Sequence, residues 1–183
     1  GALRLYQTDV LKFDFNVVVN EDLPVRLIGN LPYNISTPLL FHLLQYFNFI
    51  EDMHFMLQKE VVDRITAAPG NSEYSRLSVM VQSYYKVENL FYVAPCMFSP
   101  QPKVASSFMR LLPNNAEQTG LMSRSSFNKV VAVAFHQRRK TIKNNLASIA
   151  SVEQLQQSSI DPNQRPQEIS IQQYITLSNQ LAN

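Results

Sequence analysis

The sequence is poor in cysteine and in charge, and each shortage excludes a class of protein. A single cysteine, Cys96, excludes an intrachain disulfide and favours a reducing compartment. No apolar run approaches the ~18 residues of a membrane span and no signal peptide is visible, so we expect a soluble cytoplasmic protein without a membrane partner. The formal net charge is only +2, so a nucleic-acid surface must be a local patch.

The sequence also lacks a glycine-rich loop and a metal-binding motif. The four glycines stand far apart and form no Gly-rich loop: Gly1, Gly29, Gly70 and Gly120. The three histidines show no spacing typical of a metal site, so we expect no metal. With 183 residues, of which 45% are hydrophobic, the chain is long enough for one good core and a small second unit.

One stretch, RLIGNLPYNISTPLLF, carries the strongest signal. Its first residues, 26–28, are typical of a short buried strand, and residues 30–33 then form a rigid loop. Ser36 or Thr37 is expected to cap a following helix, with Pro38 in the first turn, where a missing N–H costs nothing. Open α/β sheets place their chemistry at such a strand–loop–helix connection.

The residues of this loop are suited to one kind of ligand. The Asn30 amide and a backbone carbonyl, that of Leu31, offer two oxygens at a separation that Pro32 helps to fix. The Tyr33 ring adds a flat apolar face. This set suits a planar aromatic amine, because the ring stacks and the two oxygens accept the two amine hydrogens. A proline-fixed turn with a half-buried tyrosine is the plain structural alternative.

The remaining patterns predict an α/β sheet followed by helices. Alternating or β-branched runs predict strands at residues 3–7, 53–57, 86–94 and 104–112. Helical patterns cover residues 38–47, 59–67 and 76–85; then 123–149, as a helix pair or one bent helix; then 152–157 and 170–181. The last two strands read as a hairpin-like pair, so the sheet should have an antiparallel edge. A polar stretch at residues 113–120 is the predicted domain boundary.

Two further residues are candidates for ligand binding, and each also has a purely structural interpretation. Asp9 falls just past the first predicted strand, where a carboxylate can accept hydrogen bonds from a ligand's amino group or simply stabilise a turn. Phe98 lies in PCMFSPQPK, whose three prolines exclude a helix and a sheet interior. Its ring is either a core plug or a stacking platform.

The one dense basic run is QRRKTIK, at residues 137–143. A run of this kind is usually a solvated helix face. These charges nevertheless follow an apolar helix in a mildly charged chain, and at helical spacing they can track a phosphate backbone. The candidates for RNA binding are Arg138, Arg139, Lys140 and Lys143.

Taken together, these stretches resemble the ribosomal RNA adenine dimethyltransferases of the KsgA type. The tetrapeptide at residues 30–33 is similar to the Asn/Asp-Pro-Pro-Tyr motif of adenine-N6 and related amino-methyltransferases. The matching segments are, in order, GNLPYNISTPLLFHLL, DMHFMLQKEVVDRI, YSRLSVMVQ, FSPQPKVASSFMRL, AFHQRRKTIKNNL and IDPNQRPQEISIQQYITLSN. They cover nearly all of the chain, so the joint resemblance is far more specific than any single motif.

The resemblance implies an enzyme that uses S-adenosylmethionine to dimethylate the N6 amines of adenines in small-subunit ribosomal RNA, on immature small ribosomal subunits. It implies that Asp9, Val10 and Asn30 contact the methyl donor, and that Asn30 also contacts the target base. Phe98 and Tyr33 would then sandwich that base. The implied catalytic set is Asn30, Leu31, Pro32, Tyr33 and Phe98, and the implied RNA contacts are Lys103 with the four basic residues above.

One part of the family pattern is missing from the sequence. The family begins with a strand, a Gly-rich turn and a second strand ending in an acid, and this chain contains no such segment. We therefore expect an incomplete Rossmann-like methyltransferase sheet in residues 1–113 and a helical RNA-binding domain in residues 114–183. The native enzyme should be a monomer, whereas the 183-residue chain alone should bind the donor weakly, transfer no methyl group and self-associate.

Two competing functions stay open from the sequence. One is a non-catalytic binding module for RNA or for ribosome assembly. The other is a DNA adenine methyltransferase. Methyl transfer to DNA and to immature ribosomal subunits, compared side by side, separates these possibilities.

Overall fold

A four-stranded sheet organises the first part of the chain. The computed structural model describes residues 3–18, 24–114 and 119–182. The strands are β1 (Val25–Asn30), β2 (Ile50–Gln58), β3 (Tyr85–Val93) and β4 (Ser106–Pro113). They lie in the order β1-β2-β4-β3; β1 and β2 are parallel, and β4 runs antiparallel to both of its neighbours. The predicted α/β class with an antiparallel edge is confirmed.

Helices occupy the connections and the second part of the chain. Those between strands are α1 (Ser36–Leu43), α2 (Lys59–Thr66) and α3 (Arg76–Tyr84); those after the sheet are α4 (Arg124–Ala134), α5 (Ile142–Leu146), α6 (Val152–Gln157) and α7 (Ile171–Gln180). Short 3-10 segments lie at Phe15–Val17, Leu44–Phe49, Pro95–Met97, Phe135–Gln137 and Pro166–Glu168. Within the described residues, every helix is too short or too polar to span a bilayer.

The core lies between one face of the sheet and the helices. Alternate residues of β2 and β4 point into it, and Phe55, Leu57, Met109 and Leu111 are almost fully buried. Helix α2 contacts β2, β3 and β4, while α3 contacts β3 on one side and α4 and α7 on the other. Helix α3 therefore joins the sheet to the helices that follow residue 119. The division into domains at residues 113–120 stays a prediction.

Three local predictions are wrong. Residues 26–28 do form a strand, but it is not buried: Arg26 and Ile28 are exposed because β1 lies at the edge of the sheet with one face uncovered. Residues 3–7 form no strand, and Leu3 and Leu5 are exposed, because β1 pairs with β2 and has no strand on its other edge among the described residues. An extended segment without a neighbouring strand has no partners for its backbone N–H and C=O groups, so it does not form a strand. Neither Ser36 nor Thr37 caps α1: the helix begins at Ser36, and the Ser36 hydroxyl donates to the Tyr33 carbonyl (3.1 Å).

An ion-pair cluster fastens the edge strand β1 to β2. Asp52 is buried and accepts hydrogen bonds from Arg26 through Nε (2.7 Å) and Nη2 (2.9 Å). His54 and Arg110 lie 3.3 Å and 3.6 Å from the same carboxylate. The hydrogen bond from Arg26 holds the pKa of Asp52 below its usual value. The carboxylate therefore stays ionised and links β1, β2 and β4.

The second face of the sheet exposes large apolar side chains. Ile28 is 72% exposed on β1, and Phe91 is 56% exposed on β3, where its ring stacks on Phe108 at 5.1 Å between centroids. The register places Ile28 and Phe91 on the same face, at its two opposite edges, since β2 and β4 lie between β1 and β3. An exposed apolar surface next to a free strand edge favours association between copies.

We expect the 183-residue chain to self-associate through this face. The weight-average mass from multi-angle light scattering should rise above the monomer value as concentration increases. Replacing Ile28 and Phe91 by Glu should return the mass toward the monomer, because the charges would be buried unpaired in an association contact. Met122→Glu, at an equally exposed apolar residue of the helical part, is the matched control. A monodisperse monomer at all concentrations would contradict this expectation.

Candidate active site

The strand ends bring two distant stretches of the chain to one edge of the sheet. Asn30, the last residue of β1, pairs with Met56 of β2, and Gln58 pairs with Ser106, the first residue of β4. The loop after β1 and the proline-rich loop before β4 therefore meet there. Together they enclose an open cavity of about 300 Å³, lined by Asn30, Leu31, Pro32, Tyr33, Phe98, Pro100 and Pro102.

Short-range bonds fix the loop after β1. The Leu31 amide donates to the Met56 carbonyl (3.1 Å), which extends the β1–β2 ladder past the end of the strand. The buried Leu31 side chain anchors the same peptide in the core. One residue further, the Pro32 carbonyl accepts from the Ile35 amide (3.1 Å) and closes a turn into α1. The backbone at residues 31–33 is therefore held from both sides.

Two hydrogen-bond acceptors in this loop are left free. The carbonyls of Pro32 and Tyr33 accept from Ile35 and Ser36, but no described residue donates to the carbonyl of Leu31. The Asn30 side chain is exposed and likewise has no partner among the described residues. Two consecutive residues that line the cavity, Asn30 and Leu31, thus each keep an oxygen without a partner. Such a pair is suited to accept two N–H groups from one amine.

Two aromatic rings form walls of the cavity. The Tyr33 hydroxyl lies 3.2 Å from Ser106 Oγ, a buried group of β4, and this bond fixes the direction of the ring. Phe98 is half-buried on the proline-rich loop, where its amide donates to the Pro95 carbonyl (3.2 Å). It lines the cavity and is not part of the buried core, and its role as a stacking platform stays a prediction. Sequence reasoning missed the role of Ser106.

The residues that line the cavity carry no charged side chain. They include no aspartate, glutamate, lysine, arginine or histidine, so the cavity offers hydrogen-bond acceptors and apolar surface but no strong base. Among the described residues, no group of three or more His, Cys, Asp or Glu side chains could hold a metal ion. The cavity is thus equipped to position a planar amine against an apolar surface.

The other residues assigned to the methyl donor lie outside this cavity. Asp9 is exposed and sits in a turn: its Oδ1 accepts from the Leu11 amide (3.0 Å) and its carbonyl from the Lys12 amide (2.9 Å). Val10, next to it, packs partly against the core. Neither residue lines the cavity. Their contact with the donor stays a prediction.

The basic run is exposed, but it does not lie on one helix face as predicted. The 3-10 segment Phe135–Gln137 ends the first helix, and residues 138–140 then form a connection before α5. Asn145 holds this connection, since its Nδ2 donates to the carbonyls of Gln137 (3.0 Å) and Lys140 (3.4 Å). Local side-chain bonds of this kind compete with helix continuation.

The four cations of the run are engaged to different extents. Arg138 Nη2 donates to the carbonyls of Ser72 and Tyr74, the latter at 3.0 Å, and so ties the run to the loop before α3. Lys143 Nζ donates to Asn163 Oδ1 (2.9 Å). Arg139 and Lys140 have no partner among the described residues. Lys103 is exposed beside Pro102, at the rim of the cavity.

Comparisons with known proteins agree with this architecture. The family model described as ribosomal RNA adenine dimethylase matches residues 1–183. A protein of Nitrosococcus oceani named ribosomal RNA small subunit methyltransferase A is 51% identical over 178 residues, covering 97% of this chain and 67% of the relative. Its namesake in Pseudomonas aeruginosa is 48% identical over 182 residues and covers 100% and 68%. The chain thus spans about two thirds of the length of these curated relatives.

Two solved structures share the fold. A dimethyladenosine transferase from Plasmodium falciparum superposes with a TM-score of 0.77 at 24% identity, over 97% of this chain and 72% of that one. The 23S rRNA methyltransferase ErmE superposes with a TM-score of 0.67 at 20% identity, over 93% and 70%. The Rossmann-like character of the sheet is confirmed by these neighbours.

Proposed function

The chain belongs to the ribosomal RNA adenine dimethylase family, and on this premise we propose that it dimethylates the N6 amines of adenines in small-subunit ribosomal RNA during ribosome maturation. One observation carries the proposal. Asn30, with a free side-chain amide, and Leu31, with a free carbonyl, line the same cavity as Tyr33 and Phe98. An adenine presents the matching groups, namely a flat ring and an amine with two hydrogens.

The family uses S-adenosylmethionine as methyl donor. The proposal takes three residues of this chain as contacts to the adenine end and the methyl group of the donor. Asp9 keeps one carboxylate oxygen, Oδ2, without a partner in an exposed turn, so it can accept from an amino group. Val10 offers apolar surface beside it, and Asn30 lies at the end of β1. When bound, the donor supplies an electrophilic methyl group.

Asn30 and Leu31 act on the amine of the target base. The nitrogen lone pair of an adenine amine is conjugated into the ring, so the free amine is a poor nucleophile. When Asn30 Oδ1 and the Leu31 carbonyl accept its two hydrogens, the lone pair becomes more localised and is held in one direction. The contribution is therefore positioning and electrostatic stabilisation, without proton abstraction by a strong base.

Tyr33 and Phe98 hold the ring of the base. To reach the cavity the adenine must leave its stack, which costs a few kcal/mol, and stacking on two aromatic faces offsets part of that cost. The hydrogen bond between the Tyr33 hydroxyl and Ser106 Oγ keeps one wall fixed before the base arrives. The basic run and Lys103 contact phosphates and so recognise RNA shape without reading sequence.

Methyl transfer by the natural protein, as its source organism makes it, tests the proposal. With labelled S-adenosylmethionine, immature small ribosomal subunits should be methylated and duplex DNA should not. Preferential methylation of DNA would contradict the proposal and support a DNA adenine methyltransferase. Tight subunit binding without turnover would support a non-catalytic assembly module instead.

The 183-residue chain by itself should bind the donor weakly. The residues assigned to the donor, Asp9, Val10 and Asn30, all face its adenine or its methyl group. Contacts to the ribose and to the charged methionine end are each worth ~1–3 kcal/mol, and without them affinity is expected to fall outside the micromolar range. Titration calorimetry measures this affinity, and micromolar binding would show that the donor site is misplaced.

A further inference from the structure

A second concave surface lies away from the cavity, where α3 and α4 meet the end of α1. This crevice has a volume of about 700 Å³ and shares no lining residue with the active-site cavity. Polar amides line it, from Gln45, Asn48 and Asn128, together with Arg76 and Arg124. No aspartate or glutamate is among its lining residues. The crevice therefore combines two positive charges with several uncharged hydrogen-bonding groups.

The two arginines differ from those of the sheet region in having no anionic partner. Arg26, Arg64 and Arg110 each lie within 4.0 Å of a carboxylate. Among the described residues, Arg76 and Arg124 have neither an ion pair nor a hydrogen bond from the guanidinium. Arg124 is moreover half-buried, and a partly desolvated cation without an anion is unfavourable.

Aromatic faces hold both guanidinium groups in place. The Arg124 guanidinium lies 3.8 Å from the centroid of Phe47 and 4.8 Å from that of Tyr84. Arg76 lies 5.0 Å from the centroid of Phe41. A guanidinium over a ring keeps its N–H edge free, and that edge matches two phosphate oxygens. Asn128 Oδ1 accepts from the Tyr84 hydroxyl (3.1 Å), which leaves its amide N–H groups available to a ligand.

The crevice is continuous with the basic run. A neighbouring depression, lined in part by Arg64 and Arg138, shares Phe41 and Arg76 with it. The two glutamates of that depression, Glu60 and Glu73, lie beside Arg64 at 2.8 Å and 4.0 Å. Arg138, Arg76 and Arg124 thus border two adjoining concave surfaces.

We propose that Arg76 and Arg124 form a second phosphate site, which extends the RNA contact of the basic run across α3 to the start of α4. The ligand is the sugar–phosphate backbone of RNA: the arginines bind phosphate oxygens, and Gln45, Asn48 and Asn128 bond the remaining oxygens and hydroxyls. The inference rests on the proposed function, because it takes RNA as the substrate. It adds a contact surface remote from the cavity.

The salt dependence of RNA binding tests the site. The Arg76→Gln/Arg124→Gln variant of the natural protein should bind small ribosomal subunits ~10- to 30-fold more weakly near physiological salt. The slope of log K against log salt should fall by roughly 1.5 units, as expected for two phosphates. The Arg76→Lys/Arg124→Lys variant keeps the charge and should keep most of the slope. Lys86→Gln removes one exposed charge at β3, outside the crevice, and should change neither quantity.

The outcomes separate the proposal from its alternatives. An unchanged slope in the Gln variant, with a lowered melting temperature, would mean that Arg124 merely packs Phe47 against Tyr84, and would overturn the proposal. The Arg76→Gln variant, measured alone, should fold normally because Arg76 is exposed. It should show about half of the slope reduction seen in the double variant. If neutralising the basic run lowers the slope and the crevice variant does not, the RNA contact of the basic run stands and the second site is refuted. If neither variant lowers the slope, both RNA contacts are refuted, and the methyl-transfer assay judges the proposed function separately.

Discussion

Asn30→Ala is expected to slow methyl transfer by ~10²-fold or more while subunit binding stays close to normal. The side-chain amide is one of two free acceptors in the cavity, and its bond to the amine matters most when the lone pair must point at the methyl group. Losing such an interaction costs a few kcal/mol in the transition state. Single-turnover methylation of immature small subunits by the natural protein measures the rate, and filter binding measures the affinity.

Two variants sharpen this experiment. Asn34→Ala removes the same chemical group from an exposed residue of the same loop that does not line the cavity, so it should leave the rate unchanged. Asn30→Asp keeps an acceptor oxygen and should retain much more activity than Asn30→Ala. An Asn30→Ala enzyme with near-normal turnover would refute the assigned role of this residue.

Neutralising the basic run is expected to weaken subunit binding by ~10²- to 10³-fold, with the salt dependence reduced by up to about four phosphate equivalents. The variant carries Gln at residues 138, 139, 140 and 143, all of which are exposed. Because each phosphate contact releases condensed counterions, affinity and salt slope should fall together. Binding measured between low and physiological salt gives both quantities.

The controls address the structural bond made by Arg138. Since Arg138 also donates to the carbonyls of Ser72 and Tyr74, a variant that changes Arg139, Lys140 and Lys143 alone shows the phosphate effect without loosening that contact. A charge-preserving variant, with Lys and Arg exchanged at the same residues, should keep the wild-type slope. If the slope stays the same when all four charges are removed, the run is an ordinary solvated surface.

The local parts of the site were predictable from the sequence. Pro32 and the prolines around Phe98 restrict the backbone. The local sequence alone therefore predicts a stiff, non-helical loop after β1 and another before β4. That Phe98 and Tyr33 lie close together was implied only by the family resemblance. In the structure, Phe98 and residues 30–33 line one cavity.

The nonlocal parts were not predictable. Residues 3–7 alternate like a strand, yet a strand needs a neighbour, and β1 pairs with β2 alone among the described residues. The basic run follows an apolar helix, yet the helix ends at the run, and the side chain that bonds the connecting carbonyls, Asn145, lies beyond the run itself. The bond between Tyr33 and Ser106 joins residues 73 positions apart, and no periodicity in either segment encodes it.

Mass spectrometry of nucleosides is the most direct test of the proposed chemistry. Immature small subunits are incubated with the natural protein and methyl-deuterated S-adenosylmethionine, and the RNA is digested. We predict N6,N6-dimethyladenosine carrying the heavy label, at wild-type level with Asn34→Ala and depleted by ~10²-fold or more with Asn30→Ala at early times. Label on a different base, or equal dimethyladenosine from the Asn30→Ala protein, would contradict the assignment of this cavity to the adenine amine.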